Sequence, residues 1–375
     1  FRMATALVKP KCTLMTLVAS ALLITLSCAS AQSETVRLGQ IVPLTGPLAN
    51  VGKEINAVTQ AAFAEHNANS NSKFTIELVT EDDGNVPERS AAAVSTLSQN
   101  TIGLLSCFGT VGCMAQMKAA EPLKFPLIGP IAGAAQLRDK KAKFVFPVRA
   151  AASDELTRLL KFSQAVGFKH LAVAVQDDGF GQGYLAALKP LLENSEIKIA
   201  ELVILDPKNP AYAAVVARLQ KSPTHATLLL VNATHSVGIL HALKTKQLFP
   251  FVLNLPGQAN ALYASGLKGY KGGASFATVT PSPWETKLKI QKDYQAAMAA
   301  AKIDKLSYLG FETYINARLA IDALKQGRVS TSAKLAAVLE MGQFDVGDWK
   351  WKHADPVTTR FTDLALLRPD GTYRH

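Results

Sequence analysis

From Val36 onward the chain alternates short apolar runs with longer stretches whose apolar residues recur at helical spacing, and this rhythm constrains the fold more than any other feature. Val36–Val42, Phe74–Thr80, Ile102–Ser106 and Pro126–Pro130 read as strands. Between them Ile55, Val58, Ala62 and Phe63 mark one helix, and Ala91–Leu97 and Met114–Leu123 mark two more. The rhythm resumes after Arg149. Ser153 is placed to cap a helix that Gly167 stops, with Asp154 and Glu155 at the positive end of its dipole. Leu171–Gln176, Thr227–Val231, Phe251–Leu255 and Ala274–Val279 read as strands, and Leu185–Glu193 and Val237–Lys244 as helices. Strands that alternate with helices predict an α/β fold of largely parallel, doubly wound sheets. The chain's 375 residues are enough for two such lobes.

A doubly wound sheet binds its ligand beyond the carboxyl ends of its strands. The loops there are 43–52, 81–85, 107–113, 131–133, 177–183, 232–236 and 256–260, and they are rich in Gly, Thr, Ser and Asn. Such residues let backbone N–H groups approach a ligand closely. Gly46 to Lys53 resembles a phosphate loop, but its glycines stand one residue too far apart and Glu54 replaces the hydroxyl residue that would hold magnesium. Asp82-Asp83-Gly84-Asn85 lacks the spacing of a calcium loop and reads as a solvated turn. Gly179-Phe-Gly181 lacks dinucleotide spacing and reads as a flexible turn that offers Phe180 to a cleft. The histidines are dispersed, and His235, which follows a strand end, reads as a loop residue. No catalytic constellation, metal site or cofactor motif emerges, so the chain reads as a binder and not an enzyme.

The N-terminus follows the secretory pattern. Arg2, Lys9 and Lys11 precede an apolar run from Leu14 to Leu26, and Ala29-Ser30-Ala31 supplies a cleavage site after Ala31. A retained anchor, or lipidation at Cys28, are the alternatives. Net charge is +11, and removing the three basic residues of 1–31 leaves a basic mature chain. Its cations are scattered without interleaved aromatics, which argues against nucleic acid. Of the four cysteines, Cys107 and Cys113 remain after cleavage. An oxidising compartment permits a bridge between them only if the backbone curls, so the spacing leaves it open.

Several runs carry a family resemblance. They are Arg37-Leu-Gly-Gln-Ile-Val-Pro-Leu-Thr-Gly-Pro47, Glu81-Asp-Asp-Gly-Asn85 with Pro87-Glu88, and Phe108-Gly-Thr110. Pro126-Leu-Ile-Gly-Pro130, Gly133-Ala134 with Leu137-Arg138, and Val145-Phe-Pro-Val-Arg-Ala150 follow. Gln176-Asp-Asp-Gly-Phe-Gly181 and Gly310-Phe-Glu-Thr-Tyr314 complete the set. In order and spacing the mature chain resembles the periplasmic substrate-binding proteins of ABC importers, of the branched-chain amino acid (Leu/Ile/Val) type. The resemblance implies a type I fold of two lobes joined by three crossovers, with 32–148 plus 281–329 in the first and 149–280 plus 330–375 in the second. It implies a monomer, located in the periplasm, that delivers a small ligand to membrane permease subunits. A sensor that presents its ligand to a membrane receptor, or a secreted enzyme using the cleft, are the rival readings.

For the site, the resemblance implies that Phe108, Gly109 and Thr110, with Ile131, Ala132 and Gly133, hold a ligand carboxylate. Phe180 would close over the apolar part, and Thr234 and Pro256 would line the second lobe. Departures from the family pattern bear on the ligand. Ala132 stands where relatives carry Thr, and Gly112 and Cys113 replace hydroxyl residues. Val51 replaces an aromatic, and Pro256 stands where amino acid binders place a Glu for the ligand ammonium. A buried ammonium without a carboxylate is costly, so the expected ligand is a carboxylate or amide without a free amine.

Overall fold

The computed structural model describes residues 34–327, 329–355, 359–368 and 372–374. The N-terminal secretory pattern, its cleavage after Ala31, Cys12 and Cys28 lie outside the described residues. Two sheets organise the chain. The first has five parallel strands in the order β2-β1-β3-β4-β5: β1 (Glu34–Val42), β2 (Phe74–Asp82), β3 (Leu104–Leu105), β4 (Leu127–Ile128) and β5 (Val145–Phe146). α1 (Ala49–Asn67), α2 (Pro87–Leu97) and α3 (Thr110–Ala120) connect them.

The second sheet begins after α4 (Ala152–Ala165). It contains β6 (His170–Gln176), β7 (Lys198–Leu205), β8 (Ala226–Leu230), β9 (Phe251–Asn254) and β10 (Ala274–Thr278), separated by α5 (Gly179–Glu193), α6 (Tyr212–Leu219), α7 (Ala233–Thr245) and α8 (Ala261–Leu267). Its parallel part runs β7-β6-β8-β9-β10, the same order as the first sheet. After α9 (Lys289–Ala300), α10 (Tyr308–Gly327) and α11 (Ser332–Met341), the chain forms a hairpin of β11 (Gln343–Asp345) and β12 (Lys350–Lys352). β13 (Asp363–Leu367) then extends the second sheet antiparallel to β10, and β14 (Tyr373–Arg374) pairs antiparallel with β13 at its edge.

Both faces of each sheet are buried, which is why the strands read as continuous apolar runs. Leu171, Val173 and Val175 face one core of the second lobe, and Ala172 and Ala174 face the other. In the first lobe Val36 and Leu38 meet α1, α9 and α10, while Ile41, Leu104 and Leu127 meet α2 and α3. No helix among the described residues is long and apolar enough to cross a membrane.

Three local expectations change. Residues 332–352 belong with the first lobe and not the second. Leu335, Leu339, Phe344, Trp349 and Trp351 complete its core, and Trp351 Nε1 donates to the Pro147 carbonyl at 3.0 Å. Only the segment from Asp363 onward returns to the second sheet. The N-cap of α4 is Ala151, two residues before the expected cap at Ser153, because the Asp154 carboxylate reaches back to the Ala151 amide at 3.2 Å. Gly179-Phe-Gly181 is the first turn of α5 and not a flexible turn, because Asp178 caps it by accepting the Phe180 and Gly181 amides at 2.9 and 3.1 Å.

Candidate functional site

The two sheets present their carboxyl ends to a common interlobe cleft. In a sheet of this order the crevice opens where the winding reverses, between the first and third strands. In the first lobe these are β1 and β3, and the residues that follow them, Leu48, Val51 and Phe108 to Val111, line the cleft. In the second lobe they are β6 and β8, and Gln176, Asp178, Phe180 and Val231 to Ala233 line it. Asn85, Leu255, Gly257 and Gln258 complete the lining. The enclosed space is about 60 Å³.

The first-lobe wall is built around α3. Ser106 takes a positive φ of 54° and Gly109 one of 73°, so the chain curls between β3 and the helix. This brings Cys107 and Cys113 to a Cα separation of 5.3 Å, and they form a disulfide. The bridge brackets Phe108 to Gly112. Gly109 donates to Ile131 O at 3.1 Å, and Ile131 donates back to Cys107 O at 2.9 Å, which ties the loop to the strand-end segment beside it. Gly109 is the N-cap of α3 and offers no side chain to the helix. The first N–H groups of a helix have no intrahelical acceptor. At α3 they meet the cleft beside the Thr110 hydroxyl, and the helix dipole favours an anion there.

The second-lobe wall is engaged with itself. Asp178 caps α5, and its other oxygen accepts from Gln176 Nε2 at 2.5 Å. Gln176 Oε1 accepts the Asn232 amide at 3.1 Å, and the Asn232 side chain caps α7 by accepting from His235 N at 3.0 Å. Gln258 Nε2 donates to Val231 O at 2.7 Å and Ser236 Oγ at 2.5 Å, while its Oε1 accepts the Leu255 amide. Asp178 is the one carboxylate among the lining residues, and these bonds hold it on its own lobe. Phe180 is half-buried and sits 5.0 Å from Tyr184, offering an apolar face.

Phe108, Gly109, Thr110 and Phe180 therefore come together in the cleft. Ile131, Ala132, Gly133, Thr234 and Pro256 do not line it. Ile131 packs behind the loop with Val51 and Leu309, and Ala132 lies in the core under α3. Gly133 lies against the Tyr184 hydroxyl, where a Cβ would come within 2.6 Å. Pro256 is buried, and it is its neighbours, the equally buried Leu255 and the half-buried Gly257, that reach the cleft lining. Thr234 bridges the lobes at the margin, its hydroxyl 3.5 Å from Pro47 O. Gln176, Asn232 and Gln258 are not among the expected site residues, although the expected loops 232–236 and 256–260 contain the last two and 177–183 follows the first. His235 is buried on α7 and meets the Tyr212 hydroxyl at 2.9 Å, and burial lowers its pKa. Among the described residues no cluster of His, Cys, Asp and Glu could hold a metal ion.

A second feature lies where the chain first crosses between lobes. Arg149 is buried there and pairs with Glu155 of α4 at 2.6 Å and Glu312 of α10 at 3.3 Å. Tyr184 donates to the other oxygen of Glu155 at 2.7 Å. Arg138 ties the crossing itself, donating to the carbonyls of Arg149 and Ala150 at 2.9 Å each. Burial pushes the Glu312 carboxyl up and brings the Arg138 guanidinium down to about 10. Burial alone would also lower Arg149, but Glu155 and Glu312 outweigh it and hold its charge.

A family model for periplasmic binding proteins matches residues 35–365. The chain belongs to the periplasmic binding protein family. No curated protein matches it in sequence. Among solved structures, a substrate-binding periplasmic protein from Ralstonia solanacearum is similar, with a TM-score of 0.83, 22% identity, and 90% of this chain and 99% of that one covered. A possible leucine/isoleucine/valine-binding protein from Rhodopirellula baltica SH 1 has a TM-score of 0.83 at 21% identity, covering 93% and 98%. A solute binding protein of an ABC transporter from Rhodopseudomonas palustris BisB5, in complex with 3,4-dihydroxy benzoic acid, has a TM-score of 0.72 at 18% identity, covering 89% and 93%. As a periplasmic binding protein, the chain thus shares its fold with relatives described as binders of small molecules, including one of an ABC transporter.

Proposed function

We propose that this protein is the periplasmic solute-binding component of an ABC importer, and that it captures a small organic carboxylate lacking a free amine. The observation that supports this reading is an asymmetry between the cleft walls. The first lobe offers the uncapped N-terminus of α3 and the Thr110 hydroxyl, which suit a carboxylate. The second offers Phe180 and apolar surface, and its single carboxylate, Asp178, is already held by two amides and Gln176. An ammonium would therefore lose its water without gaining a free counter-charge. Hydrogen bonds to a charged group contribute roughly 1.5–3 kcal/mol each, so two or three at α3 would dominate affinity. The dihydroxybenzoate in the Rhodopseudomonas relative makes aromatic acids the first class to try.

Thermal-shift screening of the mature chain against aromatic acids, aliphatic acids, amides and amino acids tests this. A ligand at 100 times its dissociation constant stabilises by about 2.7 kcal/mol. The largest shift is expected from a carboxylate without an amine, and Thr110→Val should reduce it. A largest shift from Leu, Ile or Val would overturn the reading.

A further inference from the structure

A second interlobe groove, separate from the cleft, has a volume of about 600 Å³, within the range of ligand pockets. The two lobes contribute opposite sides. Lys268 follows α8, and Arg368 and Tyr373 come from β13 and β14 of the second lobe. Residues 304–307 form the first-lobe side, where Leu306 packs against that lobe's core and Ser307 bonds Glu54 of α1, while Trp284 rests on Tyr373 of the second lobe.

Its lining combines an aromatic platform with positive charge. Trp284 stacks on Tyr373 at 5.1 Å and 16°, and Tyr308 meets it edge-on at 5.4 Å. Trp284 is still 40% exposed, whereas Trp349 and Trp351 are buried. A large aromatic held on one side and open on the other can extend its stack to a further ring. Lys268, Lys305 and Arg368 line the same groove, exposed and without an ion-pair partner among the described residues, against one lining acid, Asp304. The nearby Glu285 is paired with Lys287 at 3.0 Å. Glu54, which accepts from the lining Ser307, is driven towards its neutral form by burial.

We propose that this groove is a second ligand site, for a flat aromatic anion whose ring lies on Trp284 and whose charge meets Lys268, Lys305 and Arg368. Because its sides belong to different lobes, an occupant is coupled to their relative position, and so to the cleft.

The test uses the mature chain and 2-naphthoate as probe. Trp284 is the one exposed tryptophan of three, so acrylamide quenching reads its surroundings directly. 2-Naphthoate is expected to shield Trp284 saturably, and to do so equally in Thr110→Val, whose cleft is impaired. The Lys305→Glu/Arg368→Glu double variant changes exposed side chains only, and should weaken binding at least about tenfold while leaving binding of the cleft ligand intact. Trp284→Phe, followed by calorimetry, checks the ring contribution. Shielding that vanishes in Thr110→Val, or persists unchanged in the double variant, overturns the proposal. So does equal shielding by uncharged 2-naphthamide, or no saturable shielding at all. The cleft is read from the thermal shift that Thr110→Val removes and the groove from the shielding that Lys305→Glu/Arg368→Glu removes, so the two readings fail independently.

Discussion

The carboxylate of Asp82 accepts the amides of Leu44, Thr45 and Gly84 at 2.8, 3.2 and 2.9 Å and the Thr45 hydroxyl at 2.6 Å. It therefore fixes the segment that carries Leu48 and Val51 into the cleft. Burial would raise its pKa, but these hydrogen bonds outweigh that and bring it from 3.8 to about 2. A depressed carboxylate contributes stability that is present above its unfolded value and lost as pH falls through its folded one. Melting temperature should therefore drop between pH 3.8 and about 2, and Asp82→Asn should flatten that drop while lowering the midpoint at neutral pH. An unchanged acid profile in the variant would remove Asp82 from this role. The sequence predicts a solvated turn at Asp82-Asp83-Gly84-Asn85; the turn is there, but none of its residues is exposed. What the sequence does not show is that both acids are engaged: Asp83 is buried and accepts from Ser90 Oγ at 2.6 Å. Two of the partners of Asp82, Thr45 and Leu44, lie 37 and 38 residues away, beyond the reach of a local pattern.

At the scale of elements, periodicity locates the buried strands well because parallel pairing covers both faces. It fails for β7, an edge strand with exposed Leu202 and Ile204, and for helix starts set by side-chain caps. Neither Asp178 nor Asp154 signals by itself that it will cap. The disulfide is the sharper example. Spacing left Cys107 and Cys113 open, and the outcome depends on two positive φ values, at Ser106 and Gly109. Once formed, the bridge closes a short loop around the segment that begins α3. In the chain-entropy account a loop of this length is worth about 2 kcal/mol. The Cys107→Ala/Cys113→Ala variant should lose about that much stability in urea unfolding. It should also lose cleft affinity in calorimetry, because Phe108 to Gly112 no longer starts in its binding geometry. Full affinity in the doubly substituted protein would show that the bridge supports the lobe core alone.

For the whole molecule, two lobes were legible from the repeated strand–helix rhythm, but the division of the C-terminal segment was not. Nothing local in residues 332–352 reveals that Trp351 will reach Pro147, or that the chain crosses only before β13. The Arg149–Glu155–Glu312 cluster was hidden for the same reason, since Arg149 and Glu312 are 163 residues apart. That cluster sits at a crossing, with one acid on each lobe's side, so it links the lobes without entering the cleft. Removing one partner of a buried pair costs about 3–5 kcal/mol, and Glu312→Ala should show that loss in thermal unfolding. The cleft in turn dictates a motion. Its volume of about 60 Å³ is well below the ~300–1,000 Å³ of ordinary ligand pockets, so admitting a ligand requires the lobes to part. Parting breaks the marginal Thr234–Pro47 contact and leaves the buried crossing at Arg149 as pivot. Small-angle scattering should then report a larger radius of gyration without ligand than at saturation. Thr234→Ala should widen the ligand-free population further and leave the saturated value unchanged, because only an interlobe contact has been lost. If calorimetry detects binding while scattering stays constant, the ligand enters without lobe movement and the pivot at Arg149 is a structural clasp.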